Sequence, residues 1–330
     1  MSRQTPPPAE TVLDRIVRKA VASARAALER SRFLHRGSAR AAVATIPQGS
    51  PDAIDRTPDE TTGGIPEPLH LFLNRGGAGN PILHAFAAGL GRTVDRHAED
   101  ETGPRDGTVV VWGVLRGSDR VVDYARAGGG HFLYIDHAYF SRGHYLNYRI
   151  THNRHEAGPV RVCPPDRIAA HAVDLRPWNR NGRHILVCPP TEHFVKAHRC
   201  EGWLDRTLEE LRRVTDRPLV VRIKPQKGMD MPSLPDALAD AHALVTHSSN
   251  VAVEAVTMGT PVFVSTTSAA APVGLTTLAD IERPVYPDRR PWLAHLGYSQ
   301  FSMDELKSGE AWRLLREWET RPYAEVERDG

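Results

Sequence analysis

Between residues 69 and 265, short apolar runs alternate with stretches of helical periodicity. No other feature restricts the fold so strongly. "LHLFL" (69–73), "TVVVWG" (108–113), "HFLYID" (131–136), "HILVCPP" (184–190), "PLVVRIKP" (218–225), "HALVTHS" (242–248) and "PVFVS" (261–265) have the length and apolar content of buried strands. The segments between them read as helices: "PILHAFAAGLG" with Pro81 at its start, a stretch through Tyr124, "GWLDRTLEELRRVT" (202–215), a short one over 234–239 and one over 249–258. Strands joined by helices pair in parallel and are covered on both faces. The Pro- and Arg-rich stretch 161–183 has no clear period and separates two such sets. The expected organisation is an α/β chain with two Rossmann-like domains facing across a cleft, 69–160 and 184–302, joined by 161–183. Residues 1–68 are expected as a basic helix and a Pro/Gly-rich linker, and 303–330 as a C-terminal helix.

The 330 residues, 40% hydrophobic and 25% charged, are enough for two cores. Lys and Arg exceed Asp and Glu by 42 − 40 = 2 over the chain, so the basic character is local. Residues 1–48 hold nine Lys/Arg against Glu10, Asp14 and Glu29, a net of +6. The first ten residues are polar and Pro-rich and are expected to be disordered. Beyond them Leu13, Ile16, Val17, Ala20, Val21, Ala24, Ala27 and Leu28 recur at helical spacing, with arginines on the other face. Two readings fit: a solvated helix packed on the domain, or a basic arm for DNA or a membrane surface. Cys163, Cys188 and Cys200 are odd in number and lack metal-site spacing, which suits a reducing compartment. No apolar stretch approaches the roughly 20 residues of a membrane span, and "MSRQTPPPAE" is not a signal peptide. A soluble, cytoplasmic protein is expected.

Chemistry concentrates in "LVTHSSNVAVEAVTMGTPVFVS" (244–265), where a buried strand gives way to His247, Ser248, Ser249 and Asn250 before a helix begins. A strand-to-helix switch of this kind presents free backbone N–H groups and the positive end of a helix dipole, an arrangement that binds anions. The small polar residues can donate to phosphate oxygens or simply cap the helix. Glu254, one turn in, is placed to accept from ribose hydroxyls. The site lies at the carboxyl edge of a parallel sheet, where open α/β folds bind ligands.

"HSSNVAVEAVTMGTPVFV" resembles the donor-site segment of GT-B glycosyltransferases, in particular the capsule-polysaccharide and Kdo-transferase-like group. There a polar loop, a helix acid and a G-x-P-V strand follow in this order. "VVRIKP", ending near Lys224, resembles the strand before it, and "ILVCPPTEHF", containing Thr191, resembles the first strand and loop of the same domain. The likeness is good over 184–285 and loose over 69–155. The stretch containing "YIDHAYF" and "NYRITHNRHEAG" is also similar to phage-encoded glycosyltransferases, some of which modify DNA bases. The resemblance implies a nucleotide-sugar co-substrate, UDP-sugar foremost, with no other cofactor and no metal. It further implies the cytoplasm as the compartment, that of the host if the chain is phage-encoded.

On that basis donor contacts are expected from Thr191, Arg222, Lys224, His247, Ser248, Ser249, Asn250 and Glu254, the leaving phosphate being met by cations and helix N-termini. The base for the acceptor hydroxyl is expected across the cleft, at the carboxyl end of "HFLYID": Asp136, with His137 as its alternative. Arg75, Gly76 and Gly77 in the turn "NRGGAGN" are expected on the acceptor side, where glycines permit close backbone approach. Tyr145 and Arg149 join them, in a stretch (139–158) that interleaves aromatic and cationic groups as base-stacking surfaces do. The acceptor reading is a hydroxymethylated pyrimidine in double-stranded phage DNA. The alternatives are a surface or capsule polysaccharide, a sugar-nucleotide 2-epimerase on the same fold, and a non-catalytic nucleic-acid-binding protein.

Overall fold

The computed structural model describes residues 64–327, apart from 75–76, 78, 99–105, 115–116, 144–145 and 226–228. The basic N-terminal segment therefore lies outside the described residues, as do Arg75, Gly76 and Tyr145. In chain order the first half holds β1 (Leu69–Leu73), α1 (Asn80–Gly89), β2 (Asp95–Ala98), β3 (Thr108–Trp112), α2 (Ser118–Ala127), β4 (His131–His137), β5 (Asn147–His152) and α3 (Asp166–Ala169). The second holds β6 (His184–Cys188), α4 (Glu192–Ala197), α5 (Trp203–Val214), β7 (Leu219–Val221), α6 (Leu234–Leu238), β8 (Ala241–Thr246), α7 (Val251–Thr257) and β9 (Val262–Phe263). The chain then adds α8 (Arg290–Tyr298), β10 (Gln300–Ser302), α9 (Met303–Ser308) and α10 (Glu310–Glu319).

Two sheets result. The first runs β10-β5-β4-β3-β1-β2 and the second β7-β6-β8-β9. β2, β1, β3 and β4 are parallel, and so are all four strands of the second sheet. The two parallel sets share one strand order, the first sheet gaining an antiparallel extension by β5 and β10. In each set the second strand crosses to one side of the first and the third to the other, which opens a crevice between β1 and β3 and between β6 and β8.

The strands are apolar throughout because both faces are covered. Alternate residues feed separate cores. Leu71, Val110, Leu133 and Ile135 pack against Ile82 and Phe86 of α1, in a core that continues into Leu244, Ala252 and Val256 of the second half. Phe72, Val109, Val111, Phe132 and Tyr134 face Val121, Val122 and Ala125 of α2, with Phe194 and Ala197 of α4 packed on them. Ile185, Val187, Ala243 and Val245 face Leu208 and Leu211 of α5, whose other face carries the exposed Glu209, Glu210, Arg212 and Arg213.

Three features depart from the sequence reading. The stretch 139–158 contains a strand, β5, paired antiparallel with β4. The segment from 300 onward returns to the first half: β10 pairs with β5, and Trp312 of α10 meets Phe86 of α1 edge-on at 6.0 Å. A single helix over 303–330 is replaced by two, divided at Gly309 (φ +85°), where a Cβ would lie 2.2 Å from the Gly89 carbonyl oxygen.

Candidate functional site

The residues that follow β4 touch those that follow β8, so the carboxyl edges of the two sheets meet at one junction. Asn250 Nδ2 donates to the Tyr139 carbonyl at 3.4 Å, and Arg142 forms an ion pair with Glu254.

On the second sheet, the Thr246 hydroxyl donates to the Cys188 carbonyl at 2.6 Å and ties the ends of β8 and β6 together. The four polar residues come next. Ser248 is buried, 3.1 Å from His247 Nδ1 by its Oγ, and the Ser265 backbone N–H donates to the His247 carbonyl at 2.9 Å. Ser249 Oγ accepts from the Val251 N–H at 3.4 Å. Asn250 takes the N-cap position with helical angles and makes no capping bond, because its side chain reaches to Tyr139 instead. Helix α7 has only seven residues, so any anion held here depends on side chains and loop amides more than on a long dipole. Glu254, expected to face a ribose, is occupied by Arg142.

Thr191 sits at the N-cap of α4 with extended angles and no capping bond, at the end of β6. Arg222 hangs its N–H on the Val187 carbonyl (2.9 Å) and turns its guanidinium to the Pro232 carbonyl (2.9 Å). Lys224 is exposed beyond the end of β7. The structure thus gathers His247, Ser248, Ser249, Asn250 and Thr191 at the β6/β8 crevice, with Arg222 and Lys224 on the adjoining strand end.

On the first sheet, the Gly-rich turn is closed by reciprocal bonds of 3.0 Å between Asn74 and Asn80, the Asn74 N–H donating to Asn80 Oδ1 and Asn80 Nδ2 donating to the Asn74 carbonyl. Gly77 occupies the left-handed region (φ +72°) and is exposed. Gly79 has a different task. A Cβ there would fall 2.0 Å from Trp112 Cγ, so the indole lies over the bare backbone. Trp112 meets His137 edge-on at 5.4 Å and Tyr148 at 5.5 Å, which makes an aromatic floor at the ends of β3 and β4. His137 is exposed at its rim.

Asp136 and Arg149 behave differently from their neighbours. Asp136 Oδ2 accepts from the Tyr134 hydroxyl (2.7 Å) and from Arg149 Nη2 (3.3 Å), while Oδ1 accepts from the His137 N–H (2.7 Å). Arg149 is 4% exposed and also donates to Glu156 Oε1 (3.1 Å) and to the His137 carbonyl (2.7 Å). Burial alone would lower the pKa of that guanidinium, but the Glu156 and Asp136 carboxylates outweigh it and hold the group well above its ordinary value. Tyr139 donates to Glu156 Oε2 at 2.7 Å, and burial beside that carboxylate raises its phenol. The Arg149 Nε donates to the His155 carbonyl at 3.3 Å, so all three guanidinium nitrogens are engaged within the protein, and Asp136 is one of the counter-ions of this buried keystone.

Sequence reasoning missed a line of histidines across the junction. His155 lies 5.2 Å from His198, and His198 lies 5.1 Å from His247, ring centroid to centroid. Burial, with neighbouring cationic groups, lowers the pKa of His155 strongly and that of His198 to about 3, and burial lowers that of His247. Both ring nitrogens of His198 and Oδ1 of Asn250 are buried without a hydrogen-bond partner among the described residues. Each orphaned group of this kind costs about 1–3 kcal/mol, so the closed junction carries a load that a polar ligand or an opening motion would relieve. Nothing in the sequence signals this line, since each histidine stands in a different element. Arg142 and Trp112 were also missed; a Trp at the carboxyl end of "TVVVW" was the available signal for the latter.

Among the described residues, no three His, Cys, Asp or Glu side chains form a metal-ligating group, and no helix is long and apolar enough to cross a membrane. No protein-family model matches the chain, and no curated protein matches it. Solved structures similar to it include "Thermosulfurimonas dismutans KpsC, beta Kdo 2,4 transferase", at 12% identity over 78% of this chain and 100% of that one, with a TM-score of 0.43. Another is "Thermosulfurimonas dismutans KpsC, beta Kdo 2,7 transferase", at 13% identity over 76% and 99%, with a TM-score of 0.45. At TM-scores below 0.5 neither likeness bears on activity.

Proposed function

We propose that the chain is a glycosyltransferase of the two-domain GT-B kind, moving a sugar from a nucleotide-sugar, UDP-sugar foremost, to a hydroxyl acceptor without a bound metal. The observation that carries this reading is the pair of four-stranded parallel sets with one strand order, whose carboxyl edges are joined through Arg142–Glu254 and Asn250–Tyr139. A donor at the β6/β8 crevice would meet Thr191, His247, Ser248, Ser249 and Asn250, with Lys224 and Arg222 near the leaving phosphate. The acceptor hydroxyl attacks the anomeric carbon, its proton passes to a base at the end of β4, and the nucleoside diphosphate leaves with the bonding electrons. Of the two expected bases His137 is the better placed, because both oxygens of Asp136 are already bonded.

A glycan acceptor fits better than DNA. Four of the aromatic and basic residues that suggested base stacking are turned inward, Tyr139 2%, Tyr148 1%, Arg149 4% and His155 6% exposed, although Arg142 is exposed. The DNA reading keeps the net +6 of residues 1–48 as its support. A donor screen tests the proposal: the full chain is incubated with UDP-, CMP- and other nucleotide-sugars, and nucleotide release is followed with glycan, hydroxymethylated DNA or no acceptor, with and without EDTA. Turnover of one donor that persists in EDTA is expected. Loss of turnover restored by Mg²⁺ overturns the metal-free mechanism, release of an epimerised sugar favours the epimerase, and no turnover of any donor sinks the transferase.

A further inference from the structure

A pocket of about 450 Å³ opens on the first sheet, within the size range of small-molecule sites. Its wall is partly apolar, from Pro81, Leu146 and Met303, and partly polar, from Asn147, Asp304 and Lys307. Three elements converge to make it. Pro81 opens α1 beyond the carboxyl end of β1. Asn147 opens β5, and because β5 runs antiparallel it starts where β4 ends: His137 pairs with Tyr148, and the Ala138 N–H donates to the Asn147 carbonyl at 3.4 Å. Ser302 ends β10 opposite Asn147, caps α9, and so fixes Lys307 one turn further on. The pocket therefore lies on the carboxyl edge, one register step from His137.

Its backbone is set before any ligand arrives. The Met303 N–H donates to the Leu146 carbonyl at 3.0 Å, and Ser302 and Glu305 exchange the two bonds of a capping box. Leu146 is 52% exposed, a large apolar side chain left on the wall of a polar-rimmed hollow, where the C–H face of a sugar ring would cover it. Asn147 Nδ2 is held by the Ser141 carbonyl at 3.1 Å, which aims the amide. Among the described residues neither Asp304 nor Lys307 takes part in an ion pair, although ion pairs abound on the neighbouring helix α10. Asp304 can accept from sugar hydroxyls, and Lys307, unpaired among the described residues, can donate to a carboxylate.

We propose that this pocket is the acceptor subsite and that it takes the end of an acidic glycan, its ring on Leu146 and Met303 and its carboxylate on Lys307. The word acceptor rests on the glycosyl-transfer reading; the binding itself does not. Methionine methyl ¹³C labelling of the full chain gives five resonances, and Met303→Leu identifies the one at the pocket. The probes are a galacturonic acid trisaccharide, the neutral maltotriose and, separately, UDP. The Met303 resonance is expected to move saturably with the uronate. Binding is expected to be about tenfold weaker for maltotriose and for the uronate with Lys307→Ala, as the loss of one charged hydrogen bond implies. A Met303 resonance unmoved by either sugar overturns the subsite. Equal binding of the two sugars, or of the uronate to Lys307→Ala, overturns its acidic specificity. Uronate binding without UDP binding keeps the pocket and removes the UDP-sugar reading; UDP binding with Met303 silent does the reverse.

Discussion

Arg142, in the turn after β4, and Glu254, in α7 at the end of β8, are joined by an ion pair that spans the two halves of the chain. Their side chains are 43% and 31% exposed, so the pair adds about 0–1 kcal/mol to stability. Its importance is positional, since a donor that uses Glu254 must first displace Arg142.

Removing the two partners should therefore have opposite effects on nucleotide binding. Glu254→Ala is expected to weaken UDP binding by about 1–3 kcal/mol, the cost of a lost charged hydrogen bond. Arg142→Ala, which frees the carboxylate, should leave UDP binding unchanged or tighter. Calorimetric titration of both variants decides it, and equal affinity in wild type and Glu254→Ala removes Glu254 from the site.

The base at the end of β4 can be identified by separating rate from stability. His137→Gln should lower turnover by about 10²–10⁴ with little change in melting temperature, because the ring is exposed. Asp136→Asn should chiefly lower the melting temperature, because Arg149 loses a counter-ion. A rate loss confined to Asp136→Asn, with the fold intact, returns the role to the carboxylate.

Glu156→Gln tests the buried keystone. Both charges of the Glu156–Arg149 pair are 5% exposed, so neutralising one strands the other, at a cost of about 3–5 kcal/mol. Urea unfolding should show a lower midpoint with the slope nearly unchanged.

Acid should loosen the histidine line. Folding keeps His155, His198 and His247 neutral below the ordinary value of 6.5, chiefly by burial, so the unfolded chain binds more protons than the folded one. The stability they contribute is complete above pH 6.5 and is lost as the pH falls toward about 3, where His198 titrates in the fold. Melting temperature measured between pH 7 and pH 4 should fall, and His198→Phe should flatten that fall. An unchanged slope in His198→Phe removes the histidine from the effect.

Much of the α/β alternation was legible because parallel strands covered on both faces must be apolar along their length: "LHLFL" became β1 with the expected bounds, and "HILVC" became β6. β5 was illegible for the same reason reversed. "NYRITH" carries Arg149 inside the core, and a charge looks like a loop until Asp136 and Glu156 are seen beside it. The polar segment 247–250 was legible as a site through its place after a strand. The pairing of Glu254 with Arg142 was not, because the two are 112 residues apart and only the meeting of the two sheet edges brings them together.

The return of β10 to the first sheet also sets an order of events during synthesis. β5 remains an open edge until residues 300–302 have been made, long after the strands it belongs with. The N-terminal half leaves the ribosome with its sheet unfinished and with the face of α1 that α9 and α10 will cover still bare. A nascent chain halted near residue 298 would then hold a complete second sheet and an incomplete first one, so the half made earlier is the half that matures last.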